Sequence, residues 1–174
     1  MTVHAELADY YHGLFKAQGG VPARSDVNPL HLKKILSWVL LAEWHGPRKL
    51  IPTVVGSGID EALGSNFTGV NMFDYYPDDV SDDMEAFYQH ILAQPCGGYL
   101  VRNVAKKNGA VGRLEAMMFP LHDERGLRNR IIGSMFVTNK VLAQAHEADK
   151  RTFMSMSIVE LSYQDLGFGV PLTA

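Results

Sequence analysis

Cysteine is almost missing from this sequence: Cys96 is the only one in 174 residues. A single thiol forms no internal disulfide and builds no cysteine-rich zinc site, and such sparing use fits a reducing compartment. An excess of positive charge is missing too. Lys and Arg number 16 against 19 Asp and Glu, for a net charge of −3. Nucleic-acid binders neutralise phosphates with clustered cations, so nucleic acid is not an expected partner, and the pairs Lys33-Lys34 and Lys106-Lys107 read as solvated surface. No apolar run approaches a membrane span. The opening residues, Met1 to Asp9, carry acids where a leader peptide needs basic and apolar ones. A soluble, cytoplasmic protein is the expectation. A phosphate-binding glycine loop is also lacking, since Gly56-Ser57-Gly58 is too short and has no partner residues. The seven histidines (His4, His12, His31, His45, His90, His122 and His146) include no i, i+4 pair, the spacing of a helical metal site, so no metal is expected.

What is present is ordinary for one globular domain: 47% apolar and 20% charged residues. Leu7, Tyr10, Tyr11, Leu14 and Phe15 fall at helical spacing, and Gly19-Gly20 with Pro22 ends that helix. Its one apolar stripe must pack on something, either its own chain or a second copy. Asn28-Pro29 is a helix start, because the side chain can accept an early amide and proline there loses no hydrogen bond. The run Trp38–Trp44 reads as a buried strand, and a second strand runs from about Lys49 to Val55. Pro52 lies inside that second strand. Proline cannot donate to a sheet ladder, so the strand belongs at a sheet edge or a bulge. Short helical pieces are expected at Asp60–Leu63 and near Asn71–Tyr76. Asp78 opens a longer helix whose acids suit the positive end of the dipole. Its apolar face is Val80, Met84, Phe87, Tyr88, Ile91 and Leu92, and Pro95 closes it.

Three strand-like runs follow: Tyr99–Ala105, Val111–Leu121 and Ile131–Thr138. Asn108-Gly109 between the first two is a strong hairpin signal, and a polar loop with Gly126 joins the second and third. A short helix is expected over Val141–Phe153, then an apolar segment Ser157–Leu166 whose place in the sheet stays open.

The order of elements resembles the PAS fold: helices, a two-strand hairpin, inserted helices, then a three-strand meander. In particular it resembles a short, stand-alone PAS-like family, mainly alphaproteobacterial and of uncharacterised function. The residues that carry the likeness are Gly20-Val-Pro-Ala-Arg-Ser-Asp26 with Asn28-Pro29, Val55-Gly56-Ser57-Gly58, Gly64 to Gly69, Phe119-Pro120-Leu121 and Ile132-Gly133. The resemblance implies an α+β fold with a five-stranded antiparallel sheet in the order 2-1-5-4-3, where strand two is an edge, as Pro52 requires. Residues 1–36 would form an N-terminal helical cap, 37–138 the core and 139–174 a C-terminal extension. It also implies a sensory or regulatory role in a bacterial protein and brings no catalytic set.

PAS pockets lie between the sheet and the inserted helices. Trp38, Leu40, Phe73, Phe87, Ile91, Met117, Phe119 and Met135 are the candidate lining, because methionine and aromatics make an adaptable apolar wall; the alternative is that they simply fill the core. Arg102 and Arg113, paired across the hairpin, would clamp a carboxylate or phosphate, or else stand on an exposed face beside Glu115. Arg24 and Asp26 read as a local ion pair or cap. No cofactor is required. His90 would be the ligand if the group were haem; the light-sensing flavin type lacks its cysteine motif here, and non-covalent flavin stays open. The leading function is therefore a module that binds a small ligand and signals through a protein partner or self-association, with a homodimer through the N-terminal helix as one route. The alternative is a dimerisation module with a filled core and no ligand. An enzyme, with Cys96 as nucleophile and His122 as base, ranks last, because nothing beside Cys96 in the sequence lowers its pKa.

Overall fold

The computed structural model describes residues 2–105, 109, 111–138 and 153–171. Helix α1 spans Val3–Gln18. The Thr2 hydroxyl accepts from the Ala5 amide, and Gly19 ends the helix in the left-handed conformation at φ 70°, which glycine adopts without a Cβ penalty. Three 3-10 turns follow, at Arg24–Asp26, Pro29–Leu32 and Leu36–Trp38. Asn28 caps the second of them, its side chain accepting from the Leu30 amide at 3.0 Å. Trp38, read from sequence as strand, is the last residue of the third.

The sheet is antiparallel and built from β1 (Val39–Trp44), β2 (Leu50–Val55), β3 (Cys96–Ala105), β4 (Val111–His122), β5 (Arg128–Val137) and β6 (Ser155–Asp165). Its order is β2-β1-β5-β4-β3-β6. The expected 2-1-5-4-3 arrangement is therefore present and is extended by a sixth strand. The segment left open in the sequence falls mostly in β6, which pairs with β3 from Ser155 to Asp165 except at Val159, so β3 is interior, and β2 and β6 are the edges. Pro52 lies on edge strand β2, opposite Ala42, where the register shifts between Leu41 and Ala42. Edge and irregularity together accommodate the missing donor.

Each face of the sheet has its own core. On the inner face lie α2 (Ser57–Leu63), the 3-10 turn Met72–Asp74 and α3 (Asp78–Ala93). On the outer face lie α1 and the chain around the first two 3-10 turns, through Val27, Leu32 and Ile35. Asp78 and Asp79 stand in the first turn of α3, where acids favour the positive end of the helix. Glycines let backbone layers approach. A Cβ on Gly98 would lie 2.6 Å from Ile91 and 2.7 Å from Phe87, and one on Gly56 would lie 2.4 Å from the Ser37 backbone.

Cys96 is the first residue of β3. The helix expected over Val141–Phe153 lies, apart from Phe153, outside the described residues, as does Asn108; Gly109 has the positive φ of a tight turn. No helix among the described residues is long and apolar enough to cross a membrane.

Candidate functional site

Strand β3 points alternate residues to opposite faces. Arg102 falls on the inner parity, with Leu100 and Val104, and ends under α3. It is 2% exposed and the largest fully buried side chain of the described residues. Its Nη1 faces two thioethers, Met84 Sδ at 3.9 Å on α3 and Met156 Sδ at 3.7 Å on β6. Sulfur is a weak acceptor. The guanidinium carbon lies 5.7 Å from the centre of the Tyr76 ring, a cation–π distance. Its Nε has no hydrogen-bond partner, and among the described residues no carboxylate forms an ion pair with it.

Two phenols share the site. The Tyr76 and Tyr88 hydroxyls lie 2.7 Å apart in a buried hydrogen bond. Burial, then the neighbouring Tyr76, pushes the Tyr88 phenol well above its ordinary range, and the positive charge of Arg102 opposes only part of that shift. Tyr88 is thus neutral at physiological pH and is no counter-ion for Arg102. Around the pair stand Phe73, 5.2 Å from Tyr76, and Trp44, 6.3 Å from Tyr88, both half-buried. The result is a donor-rich polar knot inside an apolar, aromatic and thioether wall.

The residues expected to line a pocket divide between the faces. Leu40, Phe87, Ile91 and Met135 are buried in the inner core, with Trp38 and Phe73 packed at its margin. Met117 and Phe119 are not there: they lie on the outer face, where Phe119 stacks on Tyr11 of α1 at 4.3 Å. Their neighbours Leu114, Ala116 and Met118 are the inward residues of β4. The expected pairing of Arg102 with Arg113 is corrected likewise. Register sets Arg102 opposite Leu114, and Arg113 opposite Asn103, so the two guanidinium groups point to opposite faces. Arg113 reaches Glu115 at 3.4 Å instead. Tyr76, Tyr88, Met84 and Met156 complete the site and were not singled out as ligand contacts in the sequence. The available signal was a tyrosine at an apolar helical position, since such a residue carries a hydroxyl that must find a partner.

The remaining candidates have structural partners. The Asp26 carboxylate accepts from the Ala23 amide at 2.8 Å, a cap, and the Pro22 carbonyl accepts from the His122 amide at 2.9 Å, docking the N-terminal segment on β4. His90 meets the Tyr163 hydroxyl at 3.0 Å. Cys96 is fully buried, its thiol directed at the His90 carbonyl, and burial with Asp165 nearby raises its pKa to about 11. That thiol is protonated at neutral pH and a poor nucleophile. Among the described residues, no His, Cys, Asp and Glu cluster could hold a metal ion. An open groove of about 410 Å³ runs between the 3-10 turns and the β1–β2 pair, lined by Arg24, Leu32, Val39 and Val54 among others. A second cavity, of about 310 Å³, lies at the N-terminus of α1 beside His4, Glu115 and Phe136.

Comparison with known proteins agrees with this architecture. No curated protein matches the sequence. Among solved structures, a light-oxygen-voltage domain whose mechanism was probed with a flavin analogue matches with a TM-score of 0.50 at 13% identity, over 69% of this chain and 92% of that one. The light-oxygen-voltage protein of Rhodobacter sphaeroides matches with a TM-score of 0.47 at 13% identity, over 65% and 69%. A PAS domain from Colwellia psychrerythraea gives 0.46 at 12% identity, over 60% and 91%. At such identities the likeness concerns fold alone. The family model for the PAS domain matches residues 1–136, most of the chain with α1 included, and the chain belongs to the PAS domain family.

Proposed function

We infer that this PAS domain is a sensory module that holds a small ligand between the inner sheet face and α3, and that it signals through a protein partner or self-association. The observation that carries this reading is the buried polar knot of Arg102, Tyr76 and Tyr88 in an otherwise apolar interior. Buried charge with an unmade hydrogen bond costs stability. A chain that keeps such a group where neighbouring positions are Leu, Val and Met is explained by a use for it.

The same residues supply an output route. The register between β3 and β6 shifts at Arg102: Val101 pairs with Glu160 and Arg102 with Ile158, which leaves Val159 without an opposite residue. A bulge of this kind re-aims side chains and bends its strand. Arg102 also touches Met156 on β6. A ligand that draws on Arg102 acts directly on an edge strand, where a partner's contacts are most easily altered. In population terms it favours the sheet–helix arrangement that it binds better.

A second reading, an interaction module with a filled core, is favoured by one observation. The inner face near the start of β3 is tightly packed, with Phe87 and Ile91 seated directly on Gly98. Native mass spectrometry of the purified chain, with an absorbance spectrum of the same sample, separates the two. Extra mass lost on denaturation supports the ligand reading, and a flavin or haem band would name its class. An apo mass, with no shift in melting temperature across a metabolite screen, sinks the ligand reading and leaves the interaction module.

A further inference from the structure

We propose that the ligand is a small organic anion, a monocarboxylate with an apolar or aromatic body, and that Arg102 is its specificity determinant. This rests on the ligand-binding reading above and adds the charge of what is bound.

The argument is one of donors and acceptors. Arginine carries five N–H donors and no acceptor, and stays charged. Here Nε is buried without a partner, Nη1 meets only thioether sulfurs among the described residues, and the Tyr76 ring covers one face of the guanidinium. A cation–π contact occupies a face and leaves the in-plane Nε donor without a partner. The two phenols hold two hydroxyl hydrogens between them. One is used in the 2.7 Å bond joining them, and the second remains to be donated. Tyr88 is held neutral by burial. The described site therefore offers positive charge and N–H and O–H donors, and no anionic acceptor. A carboxylate is the complement: two oxygens, a full negative charge, and a planar shape that matches a guanidinium edge. A neutral amide supplies only one carbonyl acceptor and brings N–H groups of its own. The surrounding Phe73, Met84 and Met156 set the rest of the molecule as apolar, and the thioethers tolerate variation in its shape.

The test is titration calorimetry of the full chain with benzoate and hexanoate, against benzamide and hexanamide as neutral counterparts. At least one carboxylate is expected to bind at least about tenfold tighter than its amide, since a buried donor site discriminates strongly against a mismatched partner. Arg102→Met is expected to abolish that preference without lowering the melting temperature of the ligand-free protein, because an apolar chain of similar length relieves an uncompensated buried charge. Arg102→Gln, which keeps polarity, serves as a second variant and should also lose the preference.

Equal binding of acid and amide overturns the anion proposal while the ligand reading stands. So does a neutral compound released from the purified protein when none of the four probes binds. An apo mass together with no binding overturns both. The sequence carries Glu147 and Asp149 outside the described residues. If Arg102→Met lowers the melting temperature and Glu147→Gln or Asp149→Asn reproduces that fall, the counter-charge is the chain's own and the proposal fails.

Discussion

At the scale of single residues, burial decides what each titratable group does. His4 sits under the start of α1, with Nδ1 2.7 Å from the Ser134 hydroxyl and Nε2 buried without a partner. The Tyr99 ring lies edge-on at 5.9 Å, and His4 and Glu115 line the same cavity. Desolvation lowers its pKa from the usual 6.5, and Glu115 offsets only part of this. The unfolded chain takes up a proton near pH 6.5 while folded His4 resists it. The contribution is therefore fully present above that pH and is lost as pH falls through the folded value. Urea midpoints measured from pH 8 to pH 5 should fall, and His4→Gln should flatten that slope; an unchanged slope in the variant would assign the effect elsewhere. Cys96 gives a second expectation at this scale. With its thiol raised to about 11 and fully buried, the folded protein should resist a thiol reagent at pH 7.5 and react once unfolded in urea. Prompt labelling of the folded form would refute the buried, protonated thiol.

At the scale of elements, two kinds of information in the sequence had different fates. Punctuation was readable. Gly19, Asn28-Pro29, Asp78 and Pro95 mark ends by conformational preference, which acts locally, and Pro52 marks an edge because a missing donor is intolerable elsewhere. The parity of β4 was not readable. Leu114, Ala116 and Met118 point inward, while Met117 and Phe119 point outward to α1, so both faces are apolar and alternation carries no sign. A shift of one residue moves every side chain to the other face. That is why the sequence makes Arg102 a candidate yet suggests Arg113 as its partner, which the register places on the opposite face. The buried tyrosines were hidden similarly, since Tyr88 reads as one more apolar position of α3. Contact between elements is testable at Gly98, where α3 lies on β3. Gly98→Ala places a Cβ 2.6 Å from Ile91 and 2.7 Å from Phe87. These are side-chain ends that can shift, so the expected cost is that of overpacking, about 1–3 kcal/mol, read as a lower urea midpoint. Gly56→Ala meets the Ser37 backbone at 2.4 Å, which cannot yield as a rotamer does, and should cost more than Gly98→Ala. The reverse ranking would contradict the layer spacing.

At the scale of the whole molecule, the sheet has apolar residues on both faces, and its outer face depends on the first helix. Leu7 and Tyr11 of α1 are fully buried there against Phe119, Leu121 and Ile132. The Tyr11 hydroxyl donates to the Pro120 carbonyl at 2.8 Å, and its ring stacks on Phe119. Of the stripe on α1 that the sequence left open to its own chain or a second copy, Leu7 and Tyr11 are buried on its own sheet, while Tyr10, Leu14 and Phe15 stay half-buried. Burying a leucine and a tyrosine contributes about 1.5–3 kcal/mol each, a large share of the roughly 5–15 kcal/mol that holds a domain together. The PAS family match covers residues 1–136 and so includes this helix. A chain starting at Val21 should therefore melt more than about 10 °C below the full chain, or associate through the uncovered outer face, as light scattering would show. A truncated protein that stays monomeric and melts with the full chain would mean that α1 is dispensable to the core. Its helix would then be free to serve as the interface through which a signal leaves, and the output route would move from β6 to the N-terminus.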